Sequence, residues 1–351
     1  MTHTMFPRLW LATLLVLGLA LGLPRDAVAA DPCPIARGQV DNADPATRLA
    51  AAACEEHQLW HRPFIDAEGR YAGSTVREAE AALLTNGEQA WRRVAGYWRG
   101  ADLLARMQGR PGASDCLYAG LATMPSAACR AFVVDVPWSA AFVSWAARRA
   151  RLPGFNGSPS HVDYVRDAYR NPATSPYRVV DPQAARPARG DMLCYVRAAN
   201  RVFGFAGLAT LLSSDESGLG MHCDIVVAAA EQGDGRAYLV GGNVLDGVTM
   251  RLMPLTAGGQ FDRLAVRTLT DPPCSPDTPA GCNANRQDWA VLLQLRPAAE
   301  LATLLPAPPM GGVPVLPAPT PTTPGTAPAP MCCVECTVGD GLPRCPVPPS
   351  R

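Results

Sequence analysis

The chain has 351 residues, with 31 basic side chains against 31 acidic ones and no formal net charge at pH 7. That balance removes the electrostatic case for nucleic acid or an anionic membrane surface as the partner. All the basic residues are arginine, for which GC-rich codon usage is the simple explanation.

Residues 1–30 have the pattern of a signal peptide. Arg8 gives a positive start, Leu9 to Leu23 is apolar, and Ala27-Val28-Ala29-Ala30 offers small residues for cleavage before Asp31. The apolar run is short for a membrane span and has no basic stop-transfer flank. No leucine-containing lipobox precedes Cys33, so no membrane anchor is expected. The expectation is an exported protein, periplasmic or secreted.

Export decides how the 12 cysteines are read, because an oxidising compartment favours disulfides over metal sites. Sequence-local pairing predicts Cys33–Cys54, Cys116–Cys129 and Cys274–Cys282. Cys332, Cys333, Cys336 and Cys345 crowd the end and could staple a small knot or hold zinc.

Residues 31–110 read as an N-terminal helical region. Ala50, Ala53, His57 and Trp60 recur at helical steps, and a second helix is predicted from Ser74 to Trp98. His57 and His61 flank Trp60 without a carboxylate arrangement that would suggest a metal. Residues 111–296 form the expected core, opening with a loop over 111–129. A buried helix follows from Trp138 to about Arg151, entered through Pro137 and ended by Pro153-Gly154. Beyond residue 185 the period shifts towards two, predicting strands at Met192–Arg197, Cys223–Ala228, Ala237–Gly241, Val248–Met253 and Trp289–Leu295. Residues 198–221 read as a long loop near the site. From Pro297 to Pro330, proline mixed with Ala, Thr and Gly predicts an extended spacer of ~3.1 Å per residue. A Cys-rich tail over 331–351 follows, with a possible protein partner of its own.

The residues that could carry chemistry are Ser139, in the first turn of the buried helix, and His222, opening a strand. A serine hydroxyl needs a base to take its proton during attack. Asn243, closing the next strand, could fix the imidazole tautomer. The helix N-terminus would favour a developing oxyanion. Each residue also has a plainer role: Ser139 as a cap, His222 as a structural histidine and Asn243 as a turn residue. His161 and Tyr164 follow the helix, either as an exposed first turn capped by Ser158 or Ser160 or as substrate contacts.

Four blocks carry a resemblance: Trp138-Ser139-Ala140-Ala141-Phe142-Val143-Ser144-Trp145, Gly190-Asp191-Met192-Leu193-Cys194-Tyr195, His222-Cys223-Asp224-Ile225-Val226-Val227 and Gly241-Gly242-Asn243-Val244. Over roughly residues 46–296 the chain resembles an exported bacterial domain family of unknown function, itself similar to the CHAP and NlpC-type papain-like cell-wall peptidases. The resemblance implies an α+β, papain-like fold with N-terminal helices packed on an antiparallel sheet. It places Ser139 on the cysteine nucleophile, His222 on the base and Asn243 on the orienter, with Trp138, His161 and Tyr164 lining the substrate groove. Asp191 falls on a structural turn. The chain departs from the pattern with serine for cysteine, and with Gly241 where CHAP-type enzymes often carry glutamate. The implied activity is hydrolysis of peptide or amide bonds in peptidoglycan, without cofactor or metal. The alternatives are a silent papain-like module that binds cell wall or a protein partner, and a structural envelope protein acting through its tail.

Overall fold

The structure is a computed structural model that describes Met1 and residues 31–304, apart from 74–75, 80–81, 120–125, 215–217 and 232. The expected signal segment, the start of the helix predicted at Ser74, most of the Pro-rich spacer and the four tail cysteines lie outside the described residues. In chain order the helices are α1 (Cys33–Ala36), α2 (Pro45–Leu59), α3 (Ala90–Gly100), α4 (Ala127–Asp135), α5 (Ser139–Arg149), α6 (His161–Arg170), α7 (Gly204–Ser214) and α8 (Ala298–Leu301). The strands are β1 (Phe64–Ile65), β2 (Tyr71–Ala72), β3 (Tyr177–Val180), β4 (Met192–Val196), β5 (Met221–Ala229), β6 (Arg236–Val244), β7 (Gly247–Pro254) and β8 (Asp288–Leu295).

The strands form one eight-stranded sheet in the order β2-β1-β7-β6-β5-β4-β8-β3. Every pair is antiparallel except β1 with β7, so the chain is a mixed α+β fold. The N-terminal region is joined to the core, because β1 and β2 extend the sheet at one edge. Strand alternation sorts residues by face. Cys194, Cys223, Ile225, Tyr238, Val240 and Val248 join the helices in the larger apolar core. Leu193, Tyr195, Val226, Leu239 and Trp289 form a second core, which Phe261 and Leu264 help to cover.

Local chemistry explains the helix starts. The Asp44 carboxylate accepts from the N–H groups of Ala46 and Thr47, and Pro45 opens α2. Ser126 caps α4 through the N–H of Cys129 at 3.0 Å. The helix predicted from Ser74 is shorter than expected: residues 76–79 and 82–89 are turns and bridges, and α3 begins only at Ala90. Segment 198–221, expected as loop, contains α7, whose entry is fixed by Asp288. The Asp288 carboxylate accepts from Phe203 N–H at 2.7 Å and Gly204 N–H at 2.8 Å. Residues after Pro297, expected to be extended, begin instead with α8. Leu301 is buried there, and Glu300 pairs with Arg178 and Arg296.

The three sequence-local disulfides are present: Cys33–Cys54, Cys116–Cys129 and Cys274–Cys282. A fourth, Cys194–Cys223, joins directly opposed residues of β4 and β5. Sequence spacing could not find it, because only the strand register brings those positions together. Four disulfides fit an oxidising, extracellular type of environment.

Helix α5 lies close against β6 at Gly242. A Cβ there would sit 2.5 Å from Cβ and Cγ of Phe142 and 2.8 Å from the Trp138 ring. Such overlap in a packed core costs roughly 1–3 kcal/mol. Gly242→Ala is therefore expected to lower the unfolding free energy by about that amount in a urea melt. Gly38→Ala, with nothing within 4 Å of its Cβ, should stay within about 0.5 kcal/mol of the parent. Equal stability of the two variants would contradict the close approach.

Candidate functional site

Ser139 owes its position to the aromatic residue before it. Trp138 is fully buried, with ring centroids 5.8 Å from Trp60 and 5.5 Å from Tyr97. Its indole N–H donates to Glu78 Oε2 at 2.9 Å. Beneath this stack, Trp60 N–H donates to Tyr97 Oη at 2.9 Å, and Tyr97 donates to the buried Glu56 at 2.5 Å. Arg93 pairs with Glu56 and supplies the counter-charge. Trp138, expected as a substrate contact, is thus a core residue that seats the entrance of α5.

The entrance of α6 is tied to α5 by short polar contacts. Ser144 Oγ accepts from Ser158 N–H at 3.0 Å and donates to Ser158 O at 3.1 Å. Ser158 Oγ in turn accepts from Ser160 N–H at 3.1 Å. His161 then starts α6 as a buried side chain, contrary to the exposed first turn that was one reading of it. Its Nε2 lies 2.7 Å from Ser139 Oγ, and its Nδ1 bonds to Tyr164 Oη one helical turn on. Ser139, His161 and Tyr164 are each 4% exposed or less.

The proton arrangement decides what this cluster can do. If His161 carries its proton on Nδ1, it donates to Tyr164 Oη, and Nε2 accepts from the Ser139 hydroxyl. That tautomer makes His161 a base for Ser139; the opposite one makes it a donor to a passive oxygen. Burial pushes Tyr164 well above the usual tyrosine range, so its hydroxyl stays protonated. Burial also lowers His161 well below 6.5, reinforced by His222 and Arg197 and opposed by the negative charge of Asp224. The imidazole is consequently neutral near pH 7 and free to accept a proton.

His222 lies on strand β5 and shares a face with Asp224, two residues on. Its Nε2 is 2.8 Å from Asp224 Oδ1, and Arg251 Nε donates to Asp224 Oδ2 at 3.0 Å. Arg251 is held by Asn285 Oδ1 and Ala284 O, both at 2.7 Å. Burial opposes ionisation of Asp224, but His222 and Arg251 outweigh it and hold the carboxyl at about 2. The His222 ring centroid is 5.4 Å from that of His161 and 5.2 Å from that of Tyr195.

The sequence expectation that Ser139, His222 and Asn243 act in one line meets a different geometry. Ser139 bonds to His161, and among the described residues no hydrogen bond joins it to His222, whose ring lies beside that of His161 at 5.4 Å between centroids. Asn243 lies at a bulge of β6 with φ 56°, and among the described residues it makes no hydrogen bond to His222. The group beside His222 is Asp224. The alternation His222-x-Asp224 on a strand was the signal that could have found it. Gly241, noted as a departure, has a clear reason: a Cβ there would overlap the Asp224 carboxylate and stand 3.0 Å from His222 Nε2. Asp191 accepts from Ala188 and Leu295 N–H groups at 2.8 Å each, as a turn residue does.

Asp31, Cys33 and His57 place potential metal ligands within 4.8 Å of one another. Cys33 is in a disulfide, however, and His57 Nε2 bonds to Pro63 O at 3.0 Å. A zinc-type site would need the thiolate that the disulfide removes.

Residues 85–295 match a family described as an uncharacterized protein conserved in bacteria (DUF2272). The match covers more than half of the chain, which belongs to that family. No curated protein and no solved structure matches.

The lowered His161 has a consequence for stability. A histidine whose folded-state pKa lies below its unfolded value binds fewer protons when folded, so stability falls as pH drops through 6.5. Unfolding free energies measured between pH 8 and pH 5 should decline with acid, and decline less in His161→Gln. Identical pH slopes in the two proteins would contradict a buried, neutral His161.

Proposed function

We propose that this member of the DUF2272 family is an exported serine hydrolase of peptide or amide bonds in peptidoglycan, with Ser139 as nucleophile and His161 as its base. The observation that carries the reading is the 2.7 Å contact between Ser139 Oγ and His161 Nε2 at the start of a helix. Ser139 Oγ forms a bond to the substrate carbonyl carbon while its proton passes to His161 Nε2. The carbonyl oxygen becomes an oxyanion near the N-terminus of α5. There the first hydrogen bond back along the helix runs from Phe142 N–H to Trp138 O, which leaves earlier N–H groups without a helical acceptor. Collapse of the intermediate breaks the C–N bond, and the His161 proton leaves with the amine. Water then attacks the acyl-serine, gives its proton to His161, and releases the acid as Ser139 is restored.

In this scheme the imidazolium of His161 forms in a buried place that disfavours it. The ionised Asp224, behind His222, offsets part of that cost. The peptidoglycan substrate and the kinship to CHAP and NlpC-type papain-like peptidases rest on the blocks around Ser139 and His222. A helix entering over an antiparallel sheet, with the histidine on a central strand, supports that kinship. Ser139 and His161 are nearly closed to solvent. That favours a second reading, a catalytically silent module of the same fold that binds cell-wall peptide.

Digestion of purified sacculi by the mature protein, with mass spectrometry of released fragments, separates the two readings. The hydrolase releases new fragments, and Ser139→Ala abolishes them. Retention on sacculi with no fragments from either protein would overturn the hydrolase and leave the binding module.

A further inference from the structure

Arg197 lies one residue beyond β4, and its N–H donates to Gly220 O at 2.8 Å, continuing the ladder past the Tyr195–His222 pair. By alternation its side chain takes the same face as Tyr195, the face on which His222 sits. Tyr195 and His222 are buried, whereas Arg197 is exposed. Among the described residues Arg197 makes no ion pair and no side-chain hydrogen bond. Asp224, the buried carboxylate of this face, is already committed to His222 and Arg251.

The backbone around Arg197 is fixed rather than loose. Arg267 donates to the carbonyl oxygens of Ala198 at 2.5 Å, Ala199 at 3.3 Å and Arg201 at 2.8 Å. Asp288 then holds Phe203 and Gly204. The chain following β4 is thus pinned twice, so Arg197 is presented from a rigid strand end. Its charge reaches the buried site: it adds to the lowering of His161 and opposes the rise that burial imposes on Tyr195.

From this placement we infer that Arg197 is a carboxylate-recognition residue, and that the site takes peptides with a free C-terminal carboxylate next to the bond attacked by Ser139. A planar guanidinium without a counter-charge binds a carboxylate bidentately, and that geometry distinguishes it from a neutral amide. The inference rests on the serine-site reading for the position of the bond. Recognition itself is independent of turnover.

The test is therefore a binding measurement in Ser139→Ala, by calorimetry, with acetyl-D-alanyl-D-alanine and its C-terminal amide. The two probes differ only at the terminal charge. The acid should bind roughly 10-fold or more tightly than the amide, the scale of a charge-assisted hydrogen bond. Arg197→Ala should erase the preference while leaving amide binding unchanged, and Arg197→Lys should keep part of it. Equal binding of the two peptides, no binding of either, or a preference that survives Arg197→Ala would overturn the inference. Carboxylate preference in a protein whose Ser139 form releases no fragments from sacculi would retain Arg197 and remove the hydrolase.

Discussion

The adjacent glycines of β6 set the geometry of the whole site. Gly242 faces the helices and lets α5 approach until Phe142 and Trp138 touch the strand backbone. Gly241 faces the other way and leaves space for the Asp224 carboxylate beside His222. A side chain at either position would push the helix carrying Ser139 or displace the ion pair behind His222. One strand therefore serves two opposite faces, and its lack of side chains at two successive positions is what allows both.

Electrostatics on this frame follow from burial. Asp224 remains ionised inside the protein only because His222 and Arg251 both touch it and Arg251 is itself satisfied by Asn285 and Ala284. An unpaired buried carboxylate would take up a proton instead, as burial makes Glu78 and Asp191 tend to do, each raised to about 7. Glu78 accepts the Trp138 N–H and so couples a weakly acidic carboxyl to the seat of α5. The charged group and the neutral base are kept apart: Asp224 stands behind His222, and His161 meets Ser139.

The strands from residue 192 onward, the helix after Pro137 and three of the disulfides were legible in the sequence, since periodicity, caps and local spacing are local signals. Ser139 at a helix entrance was legible for the same reason. The partner of Ser139 was not. Alternation put His222 on a strand, but sequence alone does not say which face of the sheet receives the helix. The Ser144–Ser158 contacts that bring His161 to Ser139 link residues on separate elements. Cys194–Cys223 was missed for a related reason: it depends on strand register rather than spacing. Asn243 looked like an orienter because it ends a strand, whereas its positive φ marks a bulge. Helix α7 escaped detection because its start depends on the distant Asp288 carboxylate.

The central claim is that His161, in direct contact with Ser139, activates it. The most direct measurement is the rate of covalent labelling by a fluorophosphonate, followed by mapping of the adduct by mass spectrometry. The account predicts an adduct on Ser139, formed roughly 100-fold or more slowly in His161→Gln, the scale of a lost general base, and at an undiminished rate in Asn243→Ala. No adduct on Ser139, or labelling that is indifferent to His161→Gln, would contradict it.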